Sequence, residues 1–534
     1  MTKQKTVVFS ILFFILALGV FLRFHNIETT PPGVYPDEAM NGEDAYKANL
    51  SGNYQLFYSN NEGREGLFMN LIALCFKFFG ISILTLKLPA IIFGSLTIFG
   101  TYLLTKELFS SCFPDKRVKR IALISAFLTA FSFWAINFNR IAFRANMLPF
   151  ILVFSFYFFF RGIRTKKWWD FAIGGLIFGV GSHTYIAFRI APAIFIALVI
   201  ALVLSRKKFL KEYWKLLLLF VFVFSIVTAP IAHVIYSHSE YLHAPIDDIS
   251  IFSPLINHGH LVQTFLQSLF LSLIKYSYVG DMNWRHNYPP YPILDPVTGV
   301  AFLFGLIYAL IKLTRHLKIR FFQKQMSDEL AAYFFLITWF FLMLAPEFLT
   351  GEGLPHALRS IGTLPAVMIL SALTFDYFLK DSEKKSKRYQ KITFVSVIIL
   401  LIFVGIFNPV KYFYFWANEP KVAESFDKNL TDISRYLKTL PPEQEKFVVG
   451  SFGPYHSPLD RLPIQVFNLD TPNVTYFYSW QNFDQIRPKT DNFIVILTGK
   501  DLDTEKRLQD RFPGLILEEI KEPLGSVYYI LNSK

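Results

Sequence analysis

The chain has 534 residues, 53% of them hydrophobic, 18% aromatic and only 17% charged. A soluble protein carries about a quarter charged residues, so a soluble globular enzyme is excluded and a polytopic membrane protein is expected. The formal net charge of +13 does not point to nucleic acid, because the basic residues fall in short runs between apolar segments and lack interleaved stacking aromatics.

In chain order, Met1-Thr2-Lys3-Gln4-Lys5 precedes an apolar run ending in Phe21-Leu22-Arg23-Phe24-His25. That ending offers no small-residue cleavage site, so the run is expected to stay attached as the first span. Runs long enough to cross about 30 Å of hydrocarbon fall at 6–23, 84–105, 121–138, 145–161, 170–188, 190–205, 216–236, 298–314, 329–349, 360–380 and 391–410, eleven in all. Alternate loops are basic: Lys116-Arg117-Val118-Lys119-Arg120, 161–167, Arg206-Lys207-Lys208, 312–324 and 384–391. The positive-inside rule puts these loops and the N-terminus in the cytoplasm of a multi-pass plasma-membrane protein and the C-terminal region outside.

Two further apolar stretches are read as non-spanning. In 261–274 the apolar residues form one helical face, with Gln263, Thr264, Gln267, Ser268 and Ser272 in the gaps, as in a helix lying along the outer surface. Segment 67–79 is short and carries Lys77; a crossing there would move every later basic loop outside, so an interfacial or re-entrant helix is expected. Cys75 and Cys112 then lie on opposite sides, and no disulfide is expected.

Hydrophobicity drops after Pro409. A helix over 420–440, strands at 446–451, 474–478 and 493–497, a helix over 501–512 and strands at 515–521 and 527–531 describe a small extracytoplasmic α/β domain. The expected division is a transmembrane domain over 1–410, with a first outer loop at 24–83, and an α/β domain over 411–534. It carries no dinucleotide fingerprint, P-loop or nucleophile elbow. The triplets at Asn429 and Asn473 that fit glycosylation acceptors are common by chance.

Polar residues with chemical potential gather in the outer segments. The first loop holds Asp37, Glu38, Tyr46, Arg64 and Glu65; the end of the third span holds Arg140 and Arg144; the turn after the fifth holds His183, Tyr185 and Arg189; later loops hold Arg285, His286, His356 and Arg359. A carboxylate among Arg and His at a membrane surface suits transfer from a phosphate-linked donor. Arg stabilises the leaving phosphate while the carboxylate takes a proton from the attacking hydroxyl. Each residue also has a plainer reading: Asp37 and Glu38 as helix-capping acids, the arginines as headgroup anchors, the histidines as interfacial hydrogen-bond donors. The spacing of the histidines gives no metal motif.

An N-terminal span followed by Tyr35-Pro36-Asp37-Glu38, then Glu62-Gly63-Arg64-Glu65-Gly66-Leu67, Leu88-Pro89-Ala90, His183-Thr184-Tyr185, Asn283-Trp284-Arg285-His286-Asn287 and His356-Ala357-Leu358-Arg359 resembles the C-type glycosyltransferases. Within them the chain looks like glycosyltransferase family 39, the protein O-mannosyltransferases and the lipid A aminoarabinose transferase. The resemblance implies an inverting transferase that moves a hexose or pentose from a polyprenyl-phosphate donor to a glycan, lipid or protein acceptor. It makes Asp37 the catalytic carboxylate and Glu38 its acidic partner. It sets Arg359 at the donor phosphate, with Arg64 and Glu65 in the part of the loop near it; the outer clusters add Arg140 and Arg285 as donor-phosphate candidates and Tyr46, His183, Tyr185, His286 and His356, with Glu65, as substrate-binding candidates. No cofactor is required by this pattern, and a divalent metal is left open. The alternative is a transporter or flippase of lipid-linked sugars, which would place ionisable residues at the bilayer midplane and show internal repeats.

Overall fold

A computed structural model of the chain describes residues 3–61, 63–238, 249–450, 461–477, 485–499 and 502–533. In chain order its helices are α1 (Lys3–Phe24), α2 (Pro36–Ser51), α3 (Leu67–Phe79), α4 (Ile83–Leu108), α5 (Asp115–Phe131), α6 (Phe133–Phe138), α7 (Met147–Thr165), α8 (Trp168–Gly181), α9 (Ala191–Ser205) and α10 (Phe209–Ser237), followed by α11 (Leu261–Ile274), α12 (Pro296–Phe322), α13 (Asp328–Phe348), α14 (Leu364–Ser382) and α15 (Lys387–Val410). Packing divides the chain into two compact units. One comprises Met1–His25, Tyr54–Phe68 and Pro89–Tyr412, the other Asn26–Asn53, Met69–Leu88 and Phe413–Lys534.

The first unit is helical. Among the described residues nine helices are long and apolar enough to cross a membrane, α9 counting with the 3-10 turn Ile186–Ile190 before it. The third and fifth of the eleven expected spans form shorter helices. The third begins early, so that the basic run expected as a loop is the first turn of α5, where Arg117 (Nε–Oδ2 2.5 Å) and Arg120 pair with buried Asp376 on α14. It then breaks at Ser132, whose backbone turns extended and whose hydroxyl caps α6 by accepting from the Ala135 N–H, a bond that satisfies an amide otherwise orphaned at a helix start. The fifth, α8, ends after 14 residues at Gly181, because Ser182, His183 and Thr184 close successive three-residue turns. On α8 a Cβ at Gly175 would lie 2.4 Å from the Phe220 carbonyl oxygen, so glycine is what lets α8 and α10 approach.

Helices α3 and α11 are 13 and 14 residues long, as expected of non-spanning segments. On α11, Ser268 and Ser272 are buried while Val262, Leu266 and Phe270 are exposed. Val262, Leu266 and Phe270 thus face outward, as in a helix resting in a lipid surface, while Phe265 packs on Phe348 of α13.

In the first unit β1 (Phe57–Tyr58) and β2 (Arg64–Glu65) form a short hairpin, and the second unit holds a five-stranded sheet of β3 (Glu445–Val449), β4 (Val474–Phe477), β5 (Phe493–Leu497), β6 (Leu515–Lys521) and β7 (Val527–Ser533), in the order β4-β3-β5-β7-β6. β3 pairs in parallel with β4 and β5, and β7 runs antiparallel to β5 and β6. Strand alternation builds two cores. Val448, Ile494, Ile496 and Ile530 pack under α16 (Lys428–Leu437), and Phe447, Val449, Val495 and Leu531 pack with Leu508 of α17 (Leu502–Arg511). The helix expected over 420–440 is interrupted at Asp427, which has a positive φ of 46°. The ends of the strands expected at 446–451 and 474–478, and the start of the helix expected at 501, fall outside the described residues.

Residues 26–53 belong to this second unit. The Val34 N–H donates to Thr431 Oγ1 at 3.0 Å and Arg435 Nη2 to the Glu28 carbonyl at 2.6 Å. Gly33 lies so close to the chain at Phe426 that a Cβ would sit 2.3 Å from its carbonyl oxygen.

Candidate active site

In the first unit, connecting segments enclose a cavity of about 420 Å³ whose lining includes Phe57, Glu65, Arg144, Tyr185, Arg189 and Arg359. Glu65 reaches it from a two-residue hairpin in which Phe57–Tyr58 pairs with Arg64–Glu65. The turn depends on Gly63, with φ +85° and a Cβ position only 2.6 Å from the Phe57 ring, a conformation and a clearance that only glycine tolerates. Buried Glu65 accepts from Arg144 Nε at 3.0 Å.

Arg144 is set by the segment between α6 and α7. Asn146 Nδ2 donates to the carbonyls of Phe138, Ile141 and Phe143, and Asn139 Nδ2 to Asn146 Oδ1 at 3.0 Å. Arg23 Nε donates in turn to Asn139 Oδ1 at 2.9 Å. The Arg144 guanidinium lies 5.7 Å from the centre of the Tyr185 ring. Burial pushes the Tyr185 phenol up, against the pull of Arg144 and Arg359, and so keeps it a hydrogen-bond donor.

Arg359 donates from Nη1 to Thr350 Oγ1 at 2.9 Å and to the Glu352 carbonyl at 2.6 Å. Its loop is clamped by two buried acids: Glu347 Oε1 accepts from the His356 N–H at 2.9 Å and Asp281 Oδ2 from the Ala357 N–H at 2.7 Å. Glu347 is also ion-paired with fully buried Lys275. Asp281 accepts from His286 Nδ1 at 2.9 Å, and the His286 and His356 rings lie 4.8 Å apart. Burial works to raise the Asp281 carboxyl, but the His286 hydrogen bond and the neighbouring histidines hold it below its usual range. Burial first, then His286 and Arg359, depress His356 well below the ordinary histidine range and keep it neutral.

With Arg144, Arg189 and Arg359 against one carboxylate, the cavity suits a doubly charged phosphate that arginine can hold with paired hydrogen bonds. Of the residues expected at a site, Glu65, Tyr185 and Arg359 line it. Arg144 and Arg189, which the sequence places in the outer polar clusters with headgroup anchoring as the plainer alternative, line it too. Arg64 donates to Asn60 Oδ1 at 2.6 Å. Arg140, expected at the phosphate, instead donates to the carbonyls of Leu22 and Arg23 at 2.8 and 2.9 Å, two of the orphan acceptors at the end of α1. His183 Nε2 bonds the Val227 carbonyl at 2.8 Å. Arg285 contributes its own carbonyl to Asn137 Nδ2 at 2.7 Å. Neither side chain is in the cavity lining. Asp37, Glu38 and Tyr46 lie on α2 in the second unit. Asp37 is half-buried in the first turn, and Glu38 is fully buried and accepts from the Tyr35 N–H at 3.3 Å, the reciprocal bond of a capping box.

The sequence profile of the dolichyl-phosphate-mannose-protein mannosyltransferase family matches residues 67–233. No curated protein matches the chain by sequence. Among solved structures it is similar to ArnT from Cupriavidus metallidurans bound to undecaprenyl phosphate, with TM-score 0.56 and 11% identity over 99% of this chain and 98% of that one. The apo form of that ArnT gives TM-score 0.55 and 13% identity over 97% of each chain. The Archaeoglobus fulgidus oligosaccharyltransferase in its apo form gives TM-score 0.51 and 14% identity over 96% of this chain and 69% of that one. The chain therefore has the fold of ArnT and of the oligosaccharyltransferase, and its residues 67–233 resemble the dolichyl-phosphate-mannose-protein mannosyltransferases.

Proposed function

We propose that the protein is an inverting glycosyltransferase that moves a sugar from a polyprenyl-phosphate donor to an acceptor hydroxyl at the outer face of the membrane. The observation that carries this reading is the cavity in which Arg144, Arg189 and Arg359 converge with Tyr185 and Glu65. The fold, shared with an ArnT solved bound to undecaprenyl phosphate, supports it. In the reaction the acceptor oxygen attacks the anomeric carbon from the side opposite the phosphate, the carbon–oxygen bond to phosphate breaks, and the charge gained by the leaving phosphate is met by the arginines. Asp37, named by the Pro36-Asp37-Glu38 motif, takes the acceptor proton, and Glu38 holds the start of its helix. Among the residues this reading employs, Arg359 and Arg144 grip the donor phosphate, Tyr185 donates to it, and Glu65 fixes Arg144.

The test is turnover of a short-chain polyprenyl-phosphate sugar by the purified protein. Asp37→Asn keeps the side chain's size but cannot accept a proton, so the rate is expected to fall about a hundredfold to ten-thousandfold with donor binding retained. A variant within a few-fold of wild type would remove Asp37 from the chemistry. Inversion is read from the anomeric configuration of the product.

A further inference from the structure

The loop between α11 and α12 and the loop between α13 and α14 meet at a group of side chains that the transfer reaction does not use. Among the described residues, Asp281, His286 and His356 form the one group of three metal-ligating side chains whose candidate ligand atoms all lie within 4.8 Å of one another. Asp281 and His286 are 2% and 4% exposed, and His356 is half-buried. We propose that these three side chains form a divalent-cation site of the kind zinc occupies, clipping the two loops together behind Arg359.

One carboxylate and two imidazoles make a ligand set that suits zinc, with a fourth tetrahedral position for water or an anionic oxygen. Ligands at about 2.0–2.1 Å from zinc in a tetrahedron stand about 3.3 Å from one another. The 2.9 Å separation of His286 Nδ1 and Asp281 Oδ2 is already near that value, and closing the remaining separations, none above 4.8 Å, takes at most about 1.5 Å. The Arg359 N–H reaches His356 Nδ1 only at 3.4 Å, a bond weak enough to exchange for a metal bond. The neighbouring Lys275 and Glu347 cancel each other's charge, and Arg359 directs its guanidinium to Thr350 and the Glu352 carbonyl, leaving the Asp281 carboxylate to meet a cation. The competing account is an Asp–His hydrogen bond packed against a second imidazole, with no ion.

The full-length protein, purified in detergent on a tag without histidines, is stripped with chelator, dialysed against Zn²⁺ and assayed for metal by mass spectrometry, with Co²⁺ as a spectroscopic substitute. One Zn²⁺ per chain is expected, and the Co²⁺ form should show the intense visible bands of a tetrahedral site. His286→Ala and His356→Ala should each weaken Zn²⁺ binding at least as much as the about tenfold to hundredfold loss that follows removal of an outer-shell partner. His316→Ala, on α12 and bonded to Glu329, should leave it unchanged. A stripped protein that takes up far less than one Zn²⁺ per chain, or binding that survives both histidine variants, overturns the proposal. Should the variants fail to fold, X-ray absorption on the Zn²⁺-loaded wild type decides: two imidazoles and an oxygen shell sustain the site, and the absence of imidazole scattering removes it.

Discussion

Arg144, Arg189 and Arg359 present positive charge to the cavity, and Arg359 and Arg144 are held differently. Arg359 is fixed by neutral oxygens, Thr350 Oγ1 and the Glu352 carbonyl, so its charge stays available for a ligand. Arg144 is partly neutralised by Glu65. Arg359→Lys is therefore expected to raise KM for the lipid-phosphate donor about tenfold or more, because a point charge cannot reproduce a planar fork, and Arg359→Ala to do worse. If Arg359 served only as a headgroup anchor, lysine would substitute freely. Glu65→Gln tests the pairing: it frees Arg144, so donor affinity should change far less than in Arg144→Gln, whose loss also strands a buried carboxylate. Donor binding and turnover in detergent measure both. The sequence marks Arg359 through its motif and Arg144 only as one of several outer arginines, because its partner Glu65 stands 79 positions away and nothing local marks the pair. The bonds of Arg140 to the end of α1 are hidden for the same reason, since those carbonyls belong to a helix more than a hundred residues earlier.

The helical elements were legible from their apolar length, and their interruptions were not. Ser132 ends α5 with a hydroxyl cap and an extended backbone, a choice that a run such as Phe131-Ser132-Phe133-Trp134 does not advertise. The face of α11 is legible because its apolar residues recur at helical spacing with Gln, Thr and Ser in the gaps; that Ser268 and Ser272 turn inward and Val262, Leu266 and Phe270 outward follows once lipid is an apolar partner. Close approach of helices is set by glycines that composition cannot single out. A Cβ at Gly305 on α12 would lie 2.0 Å from the Leu370 carbonyl oxygen of α14, whereas one at Gly299 first meets Ser277 Oγ at 3.3 Å. Gly305→Ala should therefore destabilise by about 1–3 kcal/mol, the usual cost of overpacking, and Gly299→Ala by less. Thermal unfolding in detergent should rank the two variants in that order; equal melting temperatures would mean that α12 and α14 separate at little cost.

On the scale of the whole molecule, the alternation of basic and neutral loops predicts one orientation. With Cys75 and Cys112 replaced by serine, a cysteine at Lys438, exposed on the C-terminal domain, should react with an impermeant thiol reagent applied to intact cells. One at Lys385, in the turn between α14 and α15, should react only after permeabilisation; the reverse pattern would invert the assignment. The α/β domain was readable almost strand by strand because Phe447 and Val449 face one core and Val448 the other, a period of two that survives without any partner in view. What the sequence hid is that residues 26–53, carrying the Pro36-Asp37-Glu38 motif, pack with that late domain. The bond from Val34 to Thr431 joins residues 397 apart. At synthesis rates of about 5–20 residues per second, a ribosome needs about 20 to 80 seconds to deliver the second half of that contact. For that interval the nascent chain has its first acidic segment but not the platform on which it settles. Maturation of the motif is thus tied to synthesis of the α/β domain, and translation that stops before that domain leaves a product with its membrane helices made and its acidic segment without a seat.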